Sequence, residues 1–443
     1  MFYTKKINFI EQLIDEGKYN NALFAIHNYV EQIFVNHYFS HKFLALPELD
    51  KLCQKIVLKN TKDLNPKKQK IVGCKKINIY LVTKLDFGGG HTKKIIEFIN
   101  ASSHDSVVIL SEIQGKSYIQ TFIDKINNSS KCRIILAPHS SFVDKYHFIL
   151  AKLHSFNINR IYLFNSHQDS VLVSAASHYY KKVYFYHHGD HNPSLGVTLF
   201  KYHIDTTHSL NGLCQIYHKN TRIYLLNENY LFNFQENEFK NLNVASICKS
   251  NKVNIIFLFH AAFISRYTNK YIHIGNLNFW HKFILKFLVF LFNLLRNKNF
   301  KIYENVSDLR RVLETEKINL YFASFPQAAF LTLLEISYLG IASLINNNYF
   351  NTHLNNSEFL DIKSRYDYNT LSSLPALLAK IRKQNILVLQ NHIKISLNKY
   401  KMKSVKRIKL NYDHSLILSS YKRFFFLFSL RYYLRMIRRI FYL

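Results

Sequence analysis

The chain has 443 residues and a mass of 52.5 kDa, enough for two or three domains. Hydrophobic residues make up 48% and charged residues 20%, which excludes a disordered chain, and 11 glycines with 6 prolines exclude collagen-like and proline-rich architectures. Lysine and arginine total 59 against 28 acidic residues, and the net charge of +31 asks for an anionic partner, a membrane surface or the compositional bias of an AT-rich genome.

Residues 1–70 are predicted to be helical, because Ile10, Leu13, Ile14, Ala22, Leu23, Ile26, Tyr29, Val30 and Ile33 recur at close to helical spacing. Glu11, Asp15 and Glu16 sit among the first apolar residues and argue against a signal peptide. Residues 60–70, polar and carrying Pro66, read as a linker. Short β-branched runs follow at 77–82, 107–110, 134–136, 161–164 and 183–186, with helical windows between them. A second series is predicted at 253–258, 271–274, 301–303, 318–323 and 341–345. Strands alternating with helices imply βαβ units and parallel sheets. The gap near 235–250 divides them into two Rossmann-like domains, so the expected fold class is α/β with a cleft between the halves. Residues 283–295 are very apolar but hold Lys286 and fall short of the roughly 20 needed to span a bilayer, so a buried core helix is expected. Cys53, Cys74, Cys132, Cys214 and Cys248 form no CxxC pair, so neither a disulfide framework nor a zinc site is expected; the pattern fits a reducing compartment.

Parallel sheets bind ligands beyond the carboxyl ends of their strands, and four segments there carry chemistry. Asp86-Phe87-Gly88-Gly89-Gly90-His91-Thr92 follows the first strand and opens a helix. Its glycines let backbone N–H groups approach a ligand, and a helix N-terminus favours anions. It is not GxGxxG, and a tight turn without ligand is the competing reading. His187-His188-Gly189-Asp190-His191-Asn192-Pro193-Ser194-Leu195-Gly196 directly follows a strand. Three imidazoles and a carboxylate within five residues suit hydrogen bonding and acid–base work. HxxxH spacing off a helix argues against zinc, and a solvated histidine-rich loop is the competing reading. Ser324-Phe325-Pro326-Gln327-Ala328-Ala329-Phe330 precedes a helix. Small residues there can cradle a phosphate, Glu335 can accept from ribose hydroxyls, and Gly340 closes the helix; plain strand–helix packing competes. The segment from His260 to Lys270, placed after a strand at 253–258, brings Arg266 and Lys270, cations able to neutralise a diphosphate or simply solvated.

The last three segments together resemble a family. HHGDHNPSLGV, with Asp205 downstream, is similar to the NHADHxFWLG signature of bacterial GT-B-fold glycosyltransferases. SFPQAAFLTLLEISYLGIASL resembles their SFPxGGGTTLLEALxxGLPVL segment. The likeness covers residues 75–350. Ala328-Ala329-Phe330 stands where that pattern has glycines, and Pro193-Ser194 where it has an aromatic pair. The resemblance implies an acceptor-side domain over 71–245 and a nucleotide-sugar-binding domain over 246–400. It implies His188, Asp190 and His191 as catalytic residues, with Asp190 or His191 the base of an inverting route. Arg266 and Lys270 would bind the donor diphosphate, Ser324, Pro326, Ala328 and Ala329 would surround it, and Glu335 would bind the ribose. Gly88, Gly89, Gly90 and His91 would line the acceptor side. The implied substrate is a nucleotide-diphosphate sugar, with no metal and no other cofactor.

At the C-terminus Lys401, Lys403, Lys406, Arg407 and Lys409 form a cationic run. Arg431, Arg435, Arg438 and Arg439 then share one helical stripe beside Leu434, Ile437, Ile440 and Phe441. A basic amphipathic tail over 401–443 suits an anionic bilayer; a terminal helix packed on its own protein is the competing reading. The expectation is a cytoplasmic enzyme, peripheral on the inner face of the membrane, acting on a lipid-linked or surface glycan such as a lipopolysaccharide or capsule precursor. The alternative is a non-catalytic GT-B-like protein that binds a glycan or assists a partner enzyme. Nucleic-acid binding ranks last: the pI of 9.7 invites it, but no zinc finger, basic zipper or RNP motif accompanies it.

Overall fold

The computed structural model describes residues 2–35, 45–60, 75–86, 90–127, 129–187, 193–206, 210–211, 214–215, 217, 220–223, 241–293, 299–306, 308–325, 330–350, 360 and 363–402. The basic tail beyond Met402, the segment 188–192, and Gly88, Gly89, Pro326, Ala328 and Ala329 lie outside them.

The N-terminal periodicity becomes α1 (Phe2–Asp15), α2 (Tyr19–Val35) and α3 (Pro47–Asn60). α1 stops at Gly17, whose φ of +72° suits a residue without a Cβ. Lys18 N then donates to Leu13 O and Gly17 N to Ile14 O, which satisfies the last carbonyls of the helix. These helices do not form a separate unit. Ile10, Ile14, Ile26, Leu49 and Ile56 share one hydrophobic core with Ile79, Ile109 and Leu163 of the first sheet. Buried Asp50 of α3 accepts hydrogen bonds from Gly196 N (2.7 Å), Thr198 N (2.9 Å) and Thr198 Oγ1 (2.7 Å).

The first lobe contains β1 (Ile77–Val82), α4 (Gly90–Asn100), β2 (Ser106–Leu110), α5 (Ile119–Ile123), β3 (Cys132–Leu136), α6 (Phe142–Ser155), β4 (Ile158–Phe164), α7 (Ser170–Ser177), β5 (Val183–His187), β6 (Tyr202–Asp205) and β7 (Asn220–Ile223). The second contains β8 (Asn243–Ile247), α8 (Ile255–Arg266), β9 (Lys270–Ile274), α9 (Phe279–Phe292), β10 (Asn299–Tyr303), α10 (Leu309–Thr315), β11 (Leu320–Phe322), α11 (Phe330–Tyr338), β12 (Ala342–Asn346), α12 (Asn347–Phe350), β13 (Arg365–Tyr368), α13 (Leu374–Arg382) and α14 (Ile386–Met402). The sheet orders are β3-β2-β1-β4-β5-β6-β7 and β10-β9-β8-β11-β12-β13. Every pairing is parallel. Both lobes are thus doubly wound α/β units, as the strand series implied.

Two expectations fail. Residues 253–258 are not a strand: they enter α8, and the second sheet begins earlier, at Asn243. Asn254 caps α8 by accepting from Phe257 N at 3.0 Å. Leu258, Ala261, Ala262 and Ile264 are all buried, so the helix is apolar on nearly every side and its sequence mimics a buried strand. Residues 283–295 are not a core helix either. Only Leu285 and Val289 of α9 are buried, while Phe279, Trp280, Phe283, Phe287, Phe290 and Leu291 are exposed along one side.

Candidate functional site

In each lobe the strand order reverses direction between the first and fourth strands, which leaves a crevice beyond their carboxyl ends. Those places lie at β1/β4 in the first lobe and β8/β11 in the second. The two crevices face one another. Asp86 Oδ2, just past β1, lies 3.8 Å from Lys249 Nζ, just past β8. Lys93 Nζ on α4 donates to Glu335 Oε1 on α11 at 2.8 Å.

The structure brings some of the sequence-derived residues together and separates others. Glu335 reaches the interlobe crevice through Lys93, and Ser324 is buried just beyond β11. Gly340 ends α11 with φ +75°, Ile341 N donating to Ile336 O and Gly340 N to Ser337 O. Gly90 opens α4, and Asp86 N donates to Thr92 Oγ1 at 2.9 Å. His91 packs its ring against Phe164 and Tyr186, with centroids 5.3 and 6.0 Å away.

Arg266 and Lys270 do not join this group, and their placement on the donor diphosphate is corrected. Arg266 ends α8 and Lys270 begins β9, pairing with Asn243, the first residue of β8, so both lie at the amino ends of the strands, away from the crevice at their carboxyl ends. Arg266 lies over the Tyr267 ring, 5.9 Å from its centroid. Lys270 Nζ donates to Glu316 Oε2 at 2.7 Å. Lys301 and Tyr303 also donate to the Glu316 carboxylate, which falls to a pKa of about 2 against the cost of burial. His260 is likewise structural: its Nδ1 meets Tyr368 Oη at 2.8 Å, and burial lowers its pKa to about 3, so it is neutral.

With β8 as the true first strand, the cation that follows it is Lys249. The run Asn243-Val244-Ala245-Ser246-Ile247 was the signal for it, weaker than the apolar run ten residues later. Sequence reasoning also missed a buried polar cluster at the ends of β1, β2 and β4. Asp169 caps α7, accepting from Leu172 N at 2.9 Å, and its other oxygen accepts from Thr83 Oγ1 (2.6 Å) and Ser111 Oγ (2.7 Å). Thr83 Oγ1 in turn accepts from Ser166 N at 2.9 Å, fixing the chain where β4 leaves the sheet. Burial raises the Asp169 pKa, opposed by these hydrogen bonds.

His188, Asp190 and His191 belong to the segment outside the described residues, but the strand that leads into it is fixed. His187 is the last residue of β5 and pairs in register with Asp205 of β6. Among the described residues one group combines metal-capable side chains: His187, His203, Asp205 and Cys214, all buried.

No family model and no curated protein matches the sequence. Among solved structures the chain is similar to Anabaena Alr3699/HepE in complex with UDP and glucose, at 10% identity and a TM-score of 0.52 over 73% of this chain and 95% of that one. It is also matched by a glycosyltransferase from Rickettsia africae, at 13% identity and a TM-score of 0.48 over 74% and 98%. A third match is the lipopolysaccharide outer core galactosyltransferase WaaB, at 12% identity and a TM-score of 0.45 over 73% and 99%. The likeness is one of fold, and the fold of this chain is the two-lobed GT-B architecture.

Proposed function

We propose that this chain is a nucleotide-sugar-dependent glycosyltransferase. Its second lobe would hold the nucleoside diphosphate and its first lobe would present a glycan acceptor at a membrane surface. The observation that carries the reading is Glu335, a carboxylate on α11 that meets Lys93 of the other lobe across the crevice. A carboxylate so placed accepts two ribose hydroxyls, and ligand entry exchanges the Lys93 ammonium for them. The N-terminus of α11 and Lys249 flank the place where the leaving diphosphate gains charge, so a fixed dipole and a cation stabilise it as the glycosidic bond breaks. Closure of the lobes excludes water, which otherwise competes as acceptor. His188, Asp190 and His191 are assigned to the acceptor side. In an inverting reaction one of them takes the proton of the acceptor hydroxyl as its oxygen attacks the anomeric carbon and the nucleoside diphosphate departs.

The membrane half of the reading rests on α9. Phe279, Trp280, Phe283, Phe287 and Phe290 form an exposed aromatic stripe beside Lys286, on a chain of net charge +31. Aromatic rings with adjacent cations suit the headgroup region of an anionic bilayer. No helix among the described residues is long and apolar enough to cross a membrane.

Mass spectrometry of reactions with UDP-, GDP- and CMP-sugars tests the activity, starting from UDP-glucose because the Anabaena neighbour binds UDP and glucose. Glu335→Ala is expected to weaken donor binding and cut turnover by about 10²-fold, in line with the loss of charged hydrogen bonds. Unchanged turnover in that variant rejects the donor site.

A further inference from the structure

At the end of β5 the first lobe buries two imidazoles, a carboxylate and a thiol in one place. His187 and Asp205 are register partners on β5 and β6, and His203 stands two residues before Asp205 on the same face of the sheet. Cys214 returns to the cluster from beyond β6. All four side chains are at most 1% exposed, and Phe185, Leu195, Phe200 and Leu210 of the surrounding core are just as deeply buried. Asp205 Oδ2 accepts from Asn211 Nδ2 at 2.8 Å, which orients the carboxylate. Its Oδ1 lies 3.8 Å from His187 Nδ1 and 3.9 Å from His203 Nδ1, and His187 Nδ1 lies 3.3 Å from Cys214 Sγ.

The two carboxylate–imidazole separations are too long for hydrogen bonds. They suit donor atoms around a common ion. Bonds of about 2.0–2.3 Å at tetrahedral angles put ligand atoms roughly 3.3–3.8 Å apart, and all four donor atoms here lie within 4.8 Å of one another. We propose that His187, His203, Asp205 and Cys214 form a closed, four-ligand site for a zinc-class divalent cation.

Charge supports the assignment. A divalent ion with one carboxylate, one thiolate and two neutral imidazoles sums to zero, the condition under which charged groups tolerate an apolar surround. The mixed nitrogen, sulfur and oxygen set excludes magnesium and calcium, which take oxygen ligands, and fits zinc. Four protein ligands leave no open position, so the ion is structural. Asn211 supplies the outer hydrogen bond that such ligand sets use to fix a coordinating group. His187 immediately precedes His188, Asp190 and His191, so the ion would anchor the root of the segment assigned to the acceptor. The site itself does not depend on that assignment.

The test uses the full-length chain without a histidine tag. Elemental analysis after purification should find about one zinc per chain. Chelation should lower the melting temperature, and cobalt(II) should restore it with tetrahedral d–d bands and a thiolate charge-transfer band. Cys214→Ser should remove the charge-transfer band and lower bound metal at least tenfold, whereas His188→Ala with His191→Ala should leave both. If Cys214→Ser fails to fold, the cobalt spectrum of the unmodified chain decides. The proposal is overturned by a folded chain that takes up no cobalt. It is equally overturned by bound cobalt without a thiolate band, or by metal lost on changing His188 and His191 but kept in Cys214→Ser.

Discussion

Beyond the ends of β1, β2 and β4 the first lobe buries a carboxylate, Asp169, under three donors, and α3 adds a second, Asp50. At the matching ends of the second sheet the buried polar groups are neutral. His273 Nδ1 meets Ser246 Oγ at 2.9 Å, Tyr271 Oη donates to Ser246 Oγ at 2.8 Å, and His260 meets Tyr368. The two lobes therefore share one strand order and differ in where they keep charge. The first uses ionisable groups to fasten its loops. The second answers its buried carboxylate, Glu316, with Lys270 and Lys301 at the far end of its sheet, and keeps neutral groups inside the crevice end, with Lys249 and Glu335 at the crevice itself. Topology positions a site, and the side chains at the strand ends decide whether it binds or merely holds.

Removing Asp169 is expected to break this contrast most severely. Asp169→Ala strands the Thr83 and Ser111 hydroxyls and the Leu172 N–H in a dry site, at about 1–3 kcal/mol for each group left unpaired. A loss of about 3 kcal/mol or more in denaturant unfolding is expected, with Asp169→Asn milder because hydroxyls can turn to meet an amide. A loss under 1 kcal/mol would mean that the polar cluster does not hold the lobe.

Acid titration sharpens the comparison, because buried Asp50 of the first lobe and buried His260 and His273 of the second should respond in opposite directions. Burial raises Asp50 to about 6, above its ordinary 3.8. The folded state then holds the proton more tightly, so this group's contribution is fully present below pH 4 and is lost as pH rises through 6. Burial lowers His260 to about 3 and His273 to about 4, below the ordinary 6.5. Here the unfolded chain takes the proton first, so stability is lost as pH falls from 6.5 toward those values. Each group has a limiting slope of about 1.4 kcal/mol per pH unit, or about 2–3 kcal/mol over two units. His260→Gln should flatten the acid-side loss, and Asp50→Asn should flatten the opposing trend between pH 4 and 6. Unfolding measured across pH reads the slopes, independent of how far each variant lowers the level; parallel profiles for variant and parent would remove the distinction.

Much of this fold was legible because a strand buried on both faces must be apolar. Ile77 through Val82 and Ala342 through Ile345 could be read from composition alone. The strands that escaped carry polar residues that find partners once folded: Ser246 in β8 bonded to His273, Asp205 in β6 bonded to Asn211, and Arg365 in β13 paired with Asp367 on the same strand at 3.0 Å. α8 deceived for the converse reason, being buried on nearly all sides. That misplacement carried Arg266 and Lys270 into the donor site and hid Lys249. The helix that carries Glu335 to the interlobe contact was legible because it has a local signature. The His187 cluster was not, because two strands and a later turn supply its members and no spacing in the chain records their meeting.

The smallest expected effect concerns α9, an apolar helix whose aromatic side faces out. A core helix loses 3–5 kcal/mol when a phenylalanine is truncated; Phe283→Ser and Phe287→Ser, at 55% and 50% exposure, should each change stability by about 0.5 kcal/mol or less. Their effect should fall on association instead. Trp280 is the single tryptophan of the chain and is 67% exposed, so its emission reports this surface directly. Vesicles of mixed zwitterionic and anionic lipid should shift that emission to the blue, the shift should weaken as salt screens the lysines, and the double serine variant should reduce it. If parent and variant partition alike, the aromatic stripe has no part in docking, and any membrane contact falls to the basic residues of the tail.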